Sequence, residues 1–362
     1  MVAWIGSIAG VLWSAAALGA PAAFEFETEE EAAAWMATGP NAAAQVTRTE
    51  ADVAEGQGAL LCSYTGTPGS PFSVTVADLD VGGARSLSFD AKASSLAPLV
   101  LILAEEDGSL YHTFVTVPGG RWCSVTLPLT DLQLQDGSTD ENEALDADQV
   151  RTLTLNELAN MPGAWGEIFG AKPGPQTLGL DAVRFSPEAR PSRSQTDAQR
   201  VLLDDFSRPW FALLPLAGAR LSPVPGPDGA AASALGIEFT FMPTGPQAWP
   251  GVVMPVGHVD LTGVRALRLR TAAPGPLRLH ALLEEQDGSR YELQVVAPEA
   301  DGWQASDLPV KDFTLEAGGT DENAALDLDQ LRVAIIVADA WNALLDEQEN
   351  GRFSLDDVLF LK

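Results

Sequence analysis

Basic residues are scarce in this chain. Lysine and arginine total 21 against 50 aspartates and glutamates, for a formal net charge of −29. A nucleic-acid groove needs clustered cations, so nucleic acid is excluded as a partner. The same charge argues against anionic membrane surfaces and anionic polysaccharides. Neutral glycans, proteins and divalent cations remain. Histidine is rarer still: His112, His258 and His280 are the whole set. No Gly-x-Ser-x-Gly, His-Glu-x-x-His or phosphate-loop pattern occurs. The chain therefore reads as non-catalytic. A carboxylate pair for glycoside hydrolysis stays open with so many acids present, but nothing singles one out.

Cysteine is nearly absent, with Cys62 and Cys123 alone. Two readings stand: a disulfide, which an even count in an exported chain permits, or two separate buried thiols. Long apolar runs are confined to the start. Val2 to Ala20 is apolar, and Ala20-Pro21-Ala22 offers a small-residue cleavage site, so residues 1–23 read as a secretory signal peptide. No lysine or arginine precedes that stretch, which leaves a membrane anchor or a mis-assigned start as the alternative. No other run approaches the ~20 residues that span a bilayer. The mature protein is expected to be secreted or periplasmic, with no membrane attachment.

What the chain does have is a second copy of itself. Thr139-Asp140-Glu141-Asn142-Glu143-Ala144-Leu145-Asp146-Ala147-Asp148-Gln149 returns from Thr320 to Gln330 with nine of eleven residues identical, at an offset of 320 − 139 = 181. Asp80 and Asp260, Arg85 and Arg265, Asp107-Gly108-Ser109 and Asp287-Gly288-Ser289, and Tyr111 and Tyr291 keep an offset of 180; Trp122 and Trp303 keep 181. A unit this long is a domain and not a solenoid or propeller repeat of about 20–50 residues. Ser186 to Arg200 is polar, contains proline and lacks apolar periodicity, as a linker does. The expected organisation is a first domain over residues 24–187, a linker over 188–200 and a second domain over 201–362. The two cysteines lie in the first copy alone.

Within each copy the apolar period is two. Leu87, Phe89 and Ala91 alternate with Ser86, Ser88 and Asp90; Leu267 and Leu269 alternate with Arg268 and Arg270; Leu277 and Leu279 alternate with Arg278 and His280. These are strands with one wet face. Asp107-Gly108 and Asp287-Gly288 sit between such runs as hairpin turns. The segments from Trp122 and Trp303 end near a proline, as edge strands do. Helical pattern is confined to Glu29–Met36 and a weaker stretch over Ala340–Gln348. Many short strands separated by turn signals predict an all-β chain of sandwiches or barrels.

Each copy opens on an acidic-aromatic strand, Phe24-Glu25-Phe26-Glu27 and then Leu203-Asp204-Asp205-Phe206. Each has an edge strand leading into Leu-Pro-x-x-Asp-(Leu/Phe), at Leu127–Leu132 and Leu308–Phe313, and then Leu-Asp-x-Asp-Gln. Each closes on Leu-Asp-(Ala/Asp)-Val-x-Phe, at Leu180–Phe185 and Leu355–Phe360. In order and spacing this resembles the galactose-binding-like jelly rolls, most closely the family-11 carbohydrate-binding modules and their relatives, over nearly all of both copies. The resemblance implies two tandem antiparallel β-sandwiches, a sugar cleft on the concave sheet or at the loops, and a structural calcium. Carried over, the calcium ligands are Glu25, Glu27 and Asp181 in the first copy and Asp204, Asp205 and Asp356 in the second, where Ser207 stands in the place of Glu27. The alternative is surface acids at strand ends.

The Thr139–Gln149 segment is rich in oxygen ligands, but it lacks the glycine after the third ligand and the glutamate at position twelve of an EF-hand loop. It reads instead as a turn whose aspartates cap backbone N–H groups, with Leu145 or Leu326 reaching the core.

A sugar site needs an aromatic face for the apolar side of a pyranose and planar polar groups for its hydroxyls. If the leucines of the second copy face the core, Arg268, Arg270, Arg278, His280, Glu292 and Gln294 share the opposite face. The first copy has Ser88, Asp90, Pro98, Val100, His112 and Phe114 there, so the two faces cannot share a specificity. Trp165 and Trp341, in the long connections before the closing strands, are either rim platforms for a glycan or loop tryptophans tucked under their own loops. Trp122 and Trp303 read as core. The leading expectation is an exported tandem that binds a glycan. The alternatives are a cell-envelope protein-interaction module of the same fold and an unrecognised glycan-active enzyme. Fold alone does not decide among them.

Overall fold

A computed structural model describes residues 23–362 apart from 163–168, 170, 171, 207–212, 217, 218, 228, 230–233, 242–248, 276, 298–301, 322 and 340–349. The chain divides into two compact units, one ending at Ser192 and the other spanning Arg193–Lys362.

The first unit contains β1 (Ala23–Phe24), β2 (Trp35–Thr38), β3 (Ala43–Thr47), β4 (Ala59–Gly66), β5 (Ser73–Val76), β6 (Ser86–Ala93), β7 (Ala97–Glu105), β8 (Leu110–Val117), β9 (Cys123–Pro128), β10 (Gln133–Leu134), β11 (Val150–Glu157) and β12 (Gly174–Ser186). They form two sheets, β3-β4-β12-β6-β9 with β1 added beside β12, and β10-β8-β7-β11-β5-β2. Alternation dictates the packing. Leu60, Leu87, Phe89, Val125, Leu127 and Leu180 of one sheet are buried, as are Val74, Leu99, Leu101, Val115, Leu153 and Leu155 of the other. Both inner faces are sealed from water, and this is the main stabilising term of a sandwich.

The second unit repeats the plan with β13 (Gln195–Thr196), β14 (Arg200–Asp204), β15 (Leu214–Leu216), β16 (Arg220–Val224), β17 (Ala234–Thr240), β18 (Gly251–Pro255), β19 (Ala266–Ala272), β20 (Leu277–Glu285), β21 (Arg290–Ala297), β22 (Gln304–Pro309), β23 (Thr314–Leu315), β24 (Leu331–Ala338) and β25 (Asn350–Leu361). One sheet runs β13-β14-β25-β17-β16, with β19 joining β25 to β22; the other runs β15-β18-β24-β20-β21-β23. The chain is therefore two antiparallel β-sandwiches, as the alternation predicts. The proline-ended segments form β9 and β22, each paired on one side only among the described residues.

The Asp-Gly pairs turn the β7–β8 and β20–β21 hairpins. Gly108 and Gly288 take φ of 96° and 88°, where a side chain would be strained, and Asp107 and Asp287 each accept the amide of the serine two residues on at 2.8 Å. Left-handed backbone at other residues also recurs at matched places: Phe26 and Phe206, Glu143 and Ala324, Ala182 and Asp357. At Ala182 the ladder between β12 and β6 slips from Asp181 to Arg184, a bulge beside the fully buried Asp181.

The predicted helix at Glu29–Met36 is shorter, α1 (Glu29–Ala33), held by a capping box between Thr28 and Glu31. Trp35 instead begins a strand opposite Val76 and buries its ring against Phe24 and Phe26. The expected helix at Ala340–Gln348 lies outside the described residues. Part of the expected linker is structured: β13 pairs with β14, and Arg193 is buried.

Cys62 and Cys123 are free thiols. They sit on β4 and β9, with β12 and β6 between those strands in the sheet. Three inter-strand steps of about 4.8 Å exceed the Cα reach of a disulfide.

Candidate functional site

The outward face of the β20–β21 hairpin carries the polar groups. Leu277, Leu279, Ala281 and Leu283 are buried in the core, as are Tyr291 and Val295 across the pairing. Alternation then turns Arg278, His280, Glu292 and Gln294 to the other side. His280 and Gln294 are direct cross-strand partners. Arg278 and Gln294 are exposed, and Arg278 has no side-chain partner among the described residues. The His280 Nδ1 lies 3.7 Å from the Glu292 carboxylate, and its Nε2 is buried without a hydrogen bond among the described residues.

An aromatic completes this face. Trp249 packs edge-on against His280, ring centroids 5.0 Å apart and planes at 81°, while the indole remains 40% exposed. Among the described residues it and Met36 are the exposed large hydrophobic side chains. The reading of the sequence missed Trp249. The signal was an asymmetry: Trp249 precedes Pro250-Gly251 at the start of β18, and strand pairing aligns it with Pro71 of the first copy.

Two of the six polar residues grouped on this face belong elsewhere. Arg268 and Arg270 lie on β19, in the sheet opposite the one that holds β20. The chain changes sheets between Ala272 and Leu277, and alternation within a segment does not reveal which sheet it joins. Both arginines are also engaged. Arg268 forks onto Asp307 at 2.5 and 2.8 Å, and Arg270 reaches Asp357 at 3.0 Å and Asp356 at 3.7 Å.

The first sandwich is closed at the corresponding face. Phe114 is 5% exposed and packs on His112, which is 6% exposed; Val100 and Thr116 are buried beside them. Phe114 is thus a packing residue and not a sugar platform. Trp165 and Trp341 lie outside the described residues. Trp122 and Trp303 are half-buried.

The carboxylates carried over as calcium ligands are met by nitrogen. Glu25 receives both arms of Arg184, at 2.6 and 2.5 Å, and Glu27 accepts the Gln57 amide at 2.8 Å. Asp181 accepts the amides of Ala54 and Glu55 at 2.9 Å and of Ala182 at 2.8 Å. Asp204 accepts the Phe206 amide at 2.7 Å and pairs with Arg193, both side chains buried. Asp356 faces Arg270, and Asp205 is half-buried.

Two other acidic groups can hold a metal ion, and they occupy equivalent positions: Glu105, Asp107 and Asp140, and Glu285, Asp287 and Asp321. In each, one ligand atom per residue lies within 4.8 Å of the others. The hairpin turn supplies two acids and the repeated Thr-Asp-Glu-Asn segment the third. Tyr111 donates to Asp140, and Tyr291 to Asp321. Burial pushes the Glu285 carboxyl up to about 7, with the charges of Asp321, Asp327 and Asp287 adding and the Asp327 amide opposing. Burial also raises Glu105, with the charges of Asp140, Asp107 and Asp146 adding and the Asp146 amide opposing. The rest of the repeated segment is a turn as predicted: Asn142 reaches Asp146, the Ala144 amide bonds Asn142, and Leu326 packs on the core.

No protein-family model matches the chain, and no curated protein matches it. Solved structures do. A family 11 carbohydrate-binding module from Clostridium thermocellum in complex with a β-1,3-1,4-mixed-linked tetrasaccharide is similar at 15% identity, over 46% of this chain and 95% of that one, with a TM-score of 0.35. The N-terminal CBM22-1-CBM22-2 tandem domain of Xyn10C from Paenibacillus barcinonensis is similar at 14% identity, over 96% of this chain and 99% of that one, with a TM-score of 0.28. TmCBM61 in complex with β-1,4-galactotriose is similar at 11% identity, over 46% and 92%, with a TM-score of 0.30.

Proposed function

We propose that the chain is an exported, non-catalytic tandem of β-sandwich modules whose second unit binds a glycan on the outward face of β20 and β21. The observation that carries this reading is the exposed Trp249 indole seated on His280, on the face that also carries the exposed Gln294 and Arg278, which has no side-chain partner among the described residues. An indole face offers apolar contact to sugar C–H groups. The guanidinium and amide offer planar donors, and Gln294 and Glu292 offer acceptors, for hydroxyls. The first unit presents no such face among the described residues, because Phe114 and His112 are buried there. Calorimetry of the full chain against a panel of soluble polysaccharides tests the reading. Binding is expected to be lost in Trp249→Ala with the melting temperature unchanged. Absence of binding across the panel, or binding indifferent to Trp249, rejects it.

A second reading concerns cations. The same three-carboxylate arrangement occurs in both units, and hard oxygen ligands of this kind suit calcium. We infer a structural calcium at each hairpin base, where it would relieve the crowding of the buried glutamate with its aspartates.

A further inference from the structure

The calcium position that the family resemblance assigns, at the junction of the opening and closing strands, does not fit a metal in this chain. Calcium takes six to eight oxygen ligands, and an N–H group cannot ligate it. Here the carboxylates at that junction face N–H donors: three amides on Asp181, the Arg184 fork on Glu25, and the Phe206 amide with Arg193 on Asp204. Arg270 lies against Asp356 and Asp357.

We propose that the chain supplies its own cation at each strand junction, Arg184 in the first sandwich and Arg193 with Arg270 in the second, and that these junctions are closed to calcium. The arginines come from different places in the two copies. Arg184 lies on β12, and its counterpart in the closing strand of the second copy is Leu359. Arg193 comes from the stretch before β13, and Arg270 occupies the position that is Asp90 in the first copy. Two copies that diverged in sequence have thus each placed arginine on a carboxylate of the junction, from separate elements and on different acids: Glu25 in the first, Asp204 and Asp356 in the second. Arginine is well matched to such a junction. Its charge is permanent, its fork fits a carboxylate, and it is more weakly hydrated than an ammonium. Arg193 has a second effect. Its pairing with Asp204, both about 5% exposed, ties the start of the second unit onto its own opening strand.

Thermal unfolding of the full chain, with millimolar calcium or with chelator, tests this in four variants. Arg193→Met leaves Asp204 buried without its cation, and should lower the melting temperature of the second unit by about 6–10 °C. Arg193→Met/Asp204→Leu removes both charges and should recover most of that loss. Asp181→Asn and Asp204→Asn should retain the calcium response of the parent chain. An unchanged melting temperature in Arg193→Met overturns the proposal, as does a double variant no more stable than the single one. Loss of the calcium response in Asp181→Asn or Asp204→Asn would place the metal at the junction after all.

Discussion

Arg270 and Asp356 lie opposite each other on β19 and β25, nitrogen to oxygen 3.7 Å apart. At the same register of the first sandwich Asp90 lies opposite Asp181, acid against acid. The duplicated frame therefore carries opposite charges at one position. The first copy holds Asp181 with backbone amides, whereas the second uses a guanidinium. Arg270→Ala should destabilise the second unit by about 1–3 kcal/mol, because it removes a partner from a buried carboxylate. Glycan binding should be unchanged, since Arg270 is on the sheet away from His280 and the Trp249 indole that packs on it. Denaturant unfolding and calorimetry on one preparation check both halves.

Arg278 is the converse case. Exposed, and without a side-chain partner among the described residues, it contributes little to folding, and Arg278→Ala should leave the melting temperature within about 2 °C. Charge-assisted hydrogen bonds to sugar hydroxyls are lost, so affinity should fall about tenfold or more. Unfolding of this variant would show the guanidinium to be structural.

Calcium at the hairpin bases should raise the melting temperature by mass action, because the unfolded chain does not assemble the site. Asp321→Asn should remove the response of the second unit and leave that of the first, and Asp140→Asn the reverse. Differential scanning calorimetry with calcium and with chelator resolves the two.

Glu157 should make the first unit sensitive to pH. It is 2% exposed. Burial raises its carboxyl above the ordinary 4.5, opposed by Asn160, Lys172 and Tyr64. A raised native value means the folded state holds the proton longer than the unfolded chain. The contribution to stability is complete below 4.5 and is lost as pH rises through the native value. Glu157→Gln, neutral at every pH, should flatten the decline in stability as pH rises above the ordinary carboxylate value. An identical slope in both proteins would refute this.

The thiols should be inert. Burial pushes Cys62 up to about 12 and Cys123 up to about 11, which leaves little thiolate at neutral pH. Reductant should not shift the melting temperature, and a thiol reagent should modify the two cysteines quickly only in the unfolded chain.

Much of the architecture was legible because it rests on local chemistry. Period-two alternation around Leu87 and Leu279, the Asp-Gly turns and the repeat register depend on neighbours within a few residues, and each appears where the pattern puts it. The candidate site was legible in part. Arg278, His280, Glu292 and Gln294 share a face because β20 and β21 are joined by a turn that determines their register. Trp249 was hidden because its contact with His280 joins positions far apart in the chain.

By itself the sequence determined that this is a duplicated all-β protein, acidic throughout, with polar and apolar faces on each strand. Those properties follow from side-chain period and charge, which need no partner. Only the tertiary structure decided which sheet each strand joins, and so it separated Arg268 and Arg270 from Arg278 and His280. It also decided which acids meet amides or arginines and which gather in threes at a hairpin base. Pairing between distant strands and the burial of charge are properties of the assembled sandwich: the cost of a buried carboxylate depends on what lies within a few ångströms of it in space, and chain order does not contain that distance.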